Sequence, residues 1–222
     1  MSFERGSLLD RLPSGDREAL LARGTRRTYP SGATLFREGE RSAHVVVVLS
    51  GRTKICFTDR DGRESILNVR GAGDLLGEFS VLDGEPHSAT VIALEPVVAT
   101  VVPADEFHAL LLEHPRLSMA VLELVVARLR DADRKRVEFG AYDCRGRVAR
   151  RLVELAERFG EEGRDGVRIT LRLTQEELAG WTGSSREAVA KALADFRGRG
   201  WVETGRRTVI VLDPAALADE AR

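Results

Sequence analysis

Cysteine is nearly absent: Cys56 and Cys144 are the two in a chain of 222 residues. Two thiols so far apart build neither a disulfide framework nor an iron–sulfur centre, which needs about four thiolates. Lysine is as scarce. Lys54, Lys135 and Lys191 are three of 34 basic residues, so arginine is the default cation and an isolated one says little about function. Histidine is thin and scattered at His44, His87, His108 and His114. With no His-x-His pair, a clustered catalytic metal centre is excluded and no metal ligands are assigned. No Gly-rich phosphate loop opens a helix and no nucleophile elbow occurs, so no enzyme is expected. Long apolar runs are missing too; the densest, residues 45–49, is strand-sized and far short of a membrane span. The start Met1-Ser2-Phe3-Glu4-Arg5 has neither the basic opening nor the apolar stretch of a signal peptide. A cytoplasmic location without a membrane partner is the expectation.

What remains is a globular composition, 43% hydrophobic and 31% charged, with a net charge of −1. That sum conceals two unlike halves. Residues 1–125 carry 14 basic and 18 acidic side chains, net −4, and residues 126–222 carry 20 and 17, net +3. The length suits two modest domains.

From about Tyr29 to Val102 the text is strand-like. Short runs of Val, Ile, Thr and Leu are punctuated about every ten residues by turn signals, the pattern of a sandwich, barrel or jelly roll. Among them are Ser50-Gly51, Gly71-Ala72-Gly73-Asp74 and Asp83-Gly84, and Asp61-Gly62 reads as a hairpin turn. Pro103 ends this region, and residues 104–113 read as a short helix. Residues 116–139 then run without Gly or Pro, about 36 Å of helix. Ser118, Leu122, Val125, Leu129, Ala132, Arg136 and Phe139 alternate spacings of four and three, a heptad seam. Leu117, Val121 and Leu124 form a second apolar face. A helix with two apolar sides wants two partners: its own domain and a second copy of the chain. A single core helix in a monomer is the alternative.

Gly140 is expected to break this helix, and Asp143 to cap the next, over residues 144–158. A polar loop at 161–166 precedes a strand at 167–173. Thr174-Gln175-Glu176-Glu177 is a capping box opening a helix at 175–181. Ser184-Ser185-Arg186-Glu187 reads as another, opening a helix at 185–197, with Thr182-Gly183 as the turn between. Residues 201–203 and 208–212 flank Thr204-Gly205-Arg206-Arg207 as a hairpin, and the last eight residues add a helical turn or two. Helix, tight turn, helix and hairpin outline a winged helix-turn-helix. Leu178, Ala179, Val189, Ala192, Leu193 and Phe196 follow the inward spacing. Arg186, Glu187, Ala190 and Lys191 are left outward on the first turns of the second helix, the end that enters a DNA major groove. Arginine pairs with guanine, Glu accepts from cytosine N4, and Arg206 and Arg207 at the wing tip suit phosphates. Thr174, Gln175 and Ser185 complete the DNA-facing set. Taken singly, Glu187 also serves as a cap and Lys191 as its ion-pair partner four residues on; together on one face they point to double-stranded DNA.

The segments "LTQEELAGWTGSSREAVAKALADFRGRGWVE", "DCRGRVARRLVELAERFG" and "GDLLGEFSVLDGEPHSATV" resemble the cyclic-AMP receptor protein and fumarate–nitrate regulator family of bacterial transcription factors, in an Arg- and Ala-rich style like that of actinobacterial members. The resemblance covers nearly the whole chain. It implies an α+β fold with a cyclic-nucleotide-binding-type β-roll at 1–114, a long dimerisation helix at 115–140 and a winged helix-turn-helix at 141–222. It also implies a homodimer with Leu122, Val125, Leu129, Ala132, Arg136 and Phe139 at the interface, and RNA polymerase as a partner. The family's recognition core Ser-Arg-Glu-Thr-Val-x-Arg is similar to Ser185-Arg186-Glu187-Ala188-Val189-Ala190-Lys191, which implies a palindromic TGTGA-like operator. Lys191 stands where the family has a second base-reading Arg, and lysine lacks the bidentate fork.

For the β-roll the resemblance implies a ligand site. Gly77 and Glu78 match the pair that meets a ribose, and Ser88 keeps the serine of the phosphate-binding pair. Its arginine is replaced by His87, and the pair that meets the base is Ala132 and Asp133. Each change removes a contact, and Asp133 brings a negative charge toward an anionic ligand. Three outcomes stay open: cyclic AMP, another anion such as a cyclic dinucleotide, or a pocket without nucleotide in a constitutive DNA-binding dimer. Haem would need His44, Cys56 or His87 facing a cavity. A purely structural interaction module is the remaining alternative. In the family scheme an effector contacts the long helix near Ala132 and Asp133 and biases the hinge at 140–143.

Overall fold

A computed structural model describes residues 3–58 and 64–221. Contacts divide the chain into two compact units, Met1–Thr58 with Leu67–Asp131, and Asp59–Ile66 with Ala132–Arg222.

The first unit opens with two helices that the strand-and-turn pattern gave no sign of, α1 (Leu8–Arg11) and α2 (Ser14–Ala22). Strands β1 (Thr25–Tyr29), β2 (Thr34–Phe36), β3 (His44–Ser50), β4 (Thr53–Thr58), β5 (Glu64–Arg70) and β6 (Leu75–Leu76) follow, then α3 (Glu78–Asp83), β7 (Thr90–Ala93), β8 (Val97–Pro103) and α4 (Ala104–Glu113). The expected turn at Asp61-Gly62 lies outside the described residues. Two four-stranded sheets result, in the orders β1-β8-β3-β6 and β2-β7-β4-β5. Strand β3 explains why both faces of the first sheet are covered. Alternate side chains of a strand point to opposite faces. Val46 and Val48 join Phe36, Leu76, Val91 and Ala99 in one core cluster. Val45, Val47 and Leu49 join Leu8, Leu9, Leu20, Phe107 and Leu110 from the helices in another. A strand buried on both sides reads as an unbroken apolar run, as residues 45–49 do.

The long helix α5 (Pro115–Ala141) starts on a proline, whose missing N–H costs nothing at a first turn. Leu117, Val121 and Leu124 are buried in the helix-side core, as the second apolar face requires. Gly140 does not end the helix, which continues to Ala141. A single glycine costs a helix about 1 kcal/mol, less than a break needs. The outward apolar side chains are Met119, Leu122, Val126, Leu129, Val137 and Phe139, with Leu122 54% and Leu129 62% exposed. Ser118 and Val125 of the expected seam are half-buried, and the Ser118 hydroxyl donates to the Leu111 carbonyl. Ala132 and Arg136 are exposed.

The second unit contains α6 (Cys144–Phe159), β9 (Gly160–Glu162), β10 (Val167–Ile169), α7 (Gln175–Thr182), α8 (Arg186–Gly198), β11 (Val202–Gly205), β12 (Thr208–Val211) and α9 (Pro214–Glu220). Asp143 caps α6 by accepting from the Gly146 N–H at 2.8 Å. The expected polar loop is partly strand: β9 pairs with β10 and extends a sheet of order β11-β12-β10-β9. Strand β10 stops at Ile169, short of the expected Leu173. No helix among the described residues is long and apolar enough to cross a membrane.

Candidate nucleic-acid interface and ligand site

Two caps set the helix-turn-helix. At α7 the Thr174 hydroxyl accepts from the Glu177 N–H at 3.1 Å, and the Glu177 carboxylate accepts from the Thr174 N–H at 2.9 Å. This is the reciprocal capping box the sequence announces. Gly183, at φ +58°, terminates the helix in the left-handed conformation. At α8 the cap is Ser185, whose hydroxyl accepts from the Ala188 N–H at 3.1 Å, and the expected box from Ser184 does not form. Ser184 is one residue too early, because three residues, Gly183, Ser184 and Ser185, separate the two helices and the last of them is the cap. Its hydroxyl faces Arg147 instead, at 3.1 Å.

Leu178, Ala179, Val189, Ala192, Leu193 and Phe196 are all buried. Packing on that stripe leaves Arg186, Glu187 and Lys191 exposed on the first two turns of α8, with Ser185 beside them and Gln175 exposed at the start of α7. Thr174 is half-buried in its capping box. The Glu187 carboxyl is held below its ordinary value by a hydrogen bond from its own backbone N–H and then by Ser185, so it is an acceptor at neutral pH. The wing is β11 and β12 joined by Arg206 and Arg207, both exposed. Arg207 sits at φ +57°. Arg197 of α8 donates to the Thr204 hydroxyl at 2.7 Å and ties the wing to the recognition helix.

Arginines of α6 hold this unit together, and no sequence signal distinguishes them in an arginine-rich chain. Arg147 donates to the carbonyls of Thr182 and Tyr142, both at 2.7 Å, and lies 5.6 Å above the Phe139 ring. Phe139 packs on Gly183. Arg145 bridges Asp195 at 2.7 Å and Glu220 at 2.6 Å while lying over Phe196 and Trp201. Glu138, near the end of α5, receives Arg150 at 2.7 Å and Arg151 at 3.5 Å.

The second site is in the β-roll. Gly77, at φ +80°, faces the Phe36 ring so closely that an added Cβ would lie 2.8 Å from its Cζ. The Glu78 carboxylate that follows is 3% exposed and pairs with Arg128 of α5, which also donates to the Leu75 carbonyl at 2.6 Å. His87 is 8% exposed, its ring centroid 4.3 Å from that of Phe36. Its N–H donates to the Glu40 carbonyl and its carbonyl accepts from the Gly39 N–H, both at 2.9 Å. Burial pulls the imidazole below its ordinary value of 6.5, against the opposing pull of Glu40 and Glu78. Ser88 is exposed. Ala132 and Asp133 are exposed and belong to the second unit. Among the described residues no group of three or more His, Cys, Asp or Glu could hold a metal ion.

The cyclic nucleotide-binding domain family matches residues 26–114, and the Crp-like helix-turn-helix domain family matches residues 146–220. The chain belongs to the CRP/FNR family. It is 37% identical over 194 residues to the CRP-like cAMP-activated global transcriptional regulator of Mycobacterium tuberculosis, covering 87% of each. It is 31% identical to the cyclic AMP receptor protein of Thermus thermophilus, covering 88% of each. The solved structure of the c-di-GMP responsive global regulator CLP of Xanthomonas campestris superposes with a TM-score of 0.79 at 25% identity, over 90% of this chain and 99% of that one. The protein is a CRP/FNR-type DNA-binding transcription regulator and not an enzyme, with a cyclic-nucleotide-binding-type β-roll, a long helix and a C-terminal winged helix-turn-helix.

Proposed function

We propose that two copies join along α5 and read a palindromic, TGTGA-like operator whose half-sites lie about 34 Å apart. One observation carries this reading: Arg186, Glu187 and Lys191 are exposed together on the first two turns of α8. Arg186 pairs with guanine, Glu187 accepts from cytosine N4, and Lys191 reaches a second guanine as a single donor. Thr174, Gln175, Ser185, Arg206 and Arg207 serve the phosphates. The exposed Leu122 and Leu129 support the homodimer, with Val125, Ala132, Arg136 and Phe139 beside them. Residues 1–114 sense, 115–140 join the two copies and 141–222 read DNA. RNA polymerase is the partner at the promoter, and the cytoplasm is the location.

Arg186→Ala tests the register. It costs about 1–3 kcal/mol of operator affinity and relaxes one base position, measured by fluorescence anisotropy on a set of single-base operator variants. Unchanged affinity on every member of the set rejects it.

For the β-roll, we read residues 77–88 as a control site for a small anion of the cyclic-nucleotide class, a mononucleotide such as cyclic AMP or a cyclic dinucleotide. The matching domain family and the cAMP-activated and c-di-GMP responsive relatives support this. Glu78 takes the ribose side and Ser88 part of the phosphate side. A constitutive regulator is the second reading. Arg128 already satisfies the buried Glu78, which ties α5 to α3 without a ligand. Operator titrations with and without cyclic AMP and cyclic di-GMP separate the two.

A further inference from the structure

We propose that the β-roll site is a proton-coupled anion site: a cyclic nucleoside monophosphate binds with its phosphate on His87, and the imidazole takes up one proton from solvent as it does so. This rests on the control-site reading and adds how that site is regulated.

An anion needs a cation or several donors to leave water. His87 and Gly77 pack on the same Phe36 ring, which brings the imidazole to the Gly77-Glu78 end of the control-site segment. His87 is buried, its ring lies on Phe36, and its backbone is pinned at both ends to Gly39 and Glu40. The ring is therefore fixed in place and enters the free protein neutral. A neutral imidazole offers one donor and no charge. A protonated one offers a charge and two donors.

The surroundings decide which form the ligand finds. Glu40 and Glu78 favour the imidazolium, though Arg128 takes up much of the negative charge of Glu78. His44, also against Phe36, opposes it, with Arg27 beyond acting on His44 in the same sense. Burial tips the free site to the neutral side. A phosphate diester stays anionic across the range in which histidine titrates, so its arrival reverses the balance. Affinity then depends on pH through His87, by up to about tenfold per pH unit between the free and bound values.

The test is calorimetric titration of the full-length protein with cyclic AMP and cyclic GMP from pH 8.0 to 5.5, in buffers of different ionisation enthalpy. Circular dichroism confirms folding at each pH. The expected result is affinity rising about tenfold per pH unit on acidification, with uptake approaching one proton. His87→Arg binds at pH 8.0 with no proton uptake, His87→Gln binds weakly at every pH, and His44→Gln keeps the proton linkage. Wild-type binding that is flat with pH overturns the proposal and leaves the control site standing. Binding by His87→Arg alone, with none by wild type at any pH, also overturns it. Binding by neither protein overturns the proposal and removes the mononucleotide form of the control-site reading with it, leaving only the cyclic dinucleotide form.

Discussion

Phe139 covers Gly183, so the last turns of the long helix rest on the turn that joins the two helices of the DNA-reading motif. Gly183 needs its freedom twice. Its φ of +58° is left-handed, and a methyl there would run into the Phe139 ring. Gly183→Ala therefore carries a backbone penalty of about 1 kcal/mol and a steric one besides. The melting temperature of the C-terminal unit is expected to fall by about 4–8 °C for each 1 kcal/mol, read by circular dichroism. Operator affinity falls as well, because Ser185, the cap of α8, is two residues away. Adding Phe139→Ala recovers the steric part and leaves the backbone part, a double-mutant cycle that separates the two.

Glu138, one residue earlier, is the acid that Arg150 and Arg151 share. Arg151 is almost wholly buried, lies 5.2 Å from the centre of the Trp181 ring and also pairs with Glu154. Removing the acid leaves a buried guanidinium short of an anion. Glu138→Ala is expected to cost about 3 kcal/mol, the low end for a broken buried pair because Arg150 retains solvent. Glu138→Gln keeps the hydrogen-bonding shape and costs less. Urea unfolding of the two variants checks the order.

The recognition helix was legible in the sequence because inward residues at helical spacing force the rest outward. Leu178, Val189, Leu193 and Phe196 fixed the buried stripe, and with it the exposure of Arg186, Glu187 and Lys191. Helix ends were less legible. Ser184 and Ser185 are both good caps in isolation, and only the turn itself, in which Ser184 follows Gly183 and accepts from Arg147, leaves the cap to the second. Gly140 looked like a stop because propensity is local, whereas α5 runs on to Ala141 with Glu138 and Phe139 held in the second unit. Helices α1 and α2 escaped notice because α1 spans four residues, too short for a period to show. What Arg145, Arg147 and Arg151 do was invisible, since their partners are distant in sequence and arginine is common everywhere in this chain.

The paired histidines give the β-roll a pH dependence of its own. His44 and His87 both lie below their ordinary value of 6.5, chiefly because burial disfavours the charged ring. Below that value the unfolded chain binds more protons than the folded one, so stability rises with pH there. Their contribution is full above about pH 6.5 and is lost as pH falls through it toward the folded values. The melting temperature of the N-terminal unit is expected to hold between pH 8 and 7 and decline below 6.5. His44→Gln and His87→Gln each flatten that decline, and a saturating anion that protonates His87 opposes it.

Arg207 sets stability against binding at the wing tip. Among the described non-glycine residues it alone has a positive φ, at +57°, a conformation that costs an ordinary residue about 1 kcal/mol. The strain lies in the two-residue turn between Gly205 and Thr208, next to a second arginine, where a duplex groove would meet the wing. Arg207→Gly removes the strain and the charge together. The variant is expected to be more stable by up to about 1 kcal/mol, less whatever backbone entropy glycine loses on folding. It is also expected to bind DNA more weakly by a similar factor on every sequence, with the salt dependence of log affinity shallower by about one. Arg206→Ala lowers affinity in the same sequence-independent way without the gain in stability. Thermal melts paired with anisotropy titrations at several salt concentrations separate these outcomes. A stabilised Arg207→Gly that keeps its full affinity and salt slope would mean the wing tip never touches the phosphates.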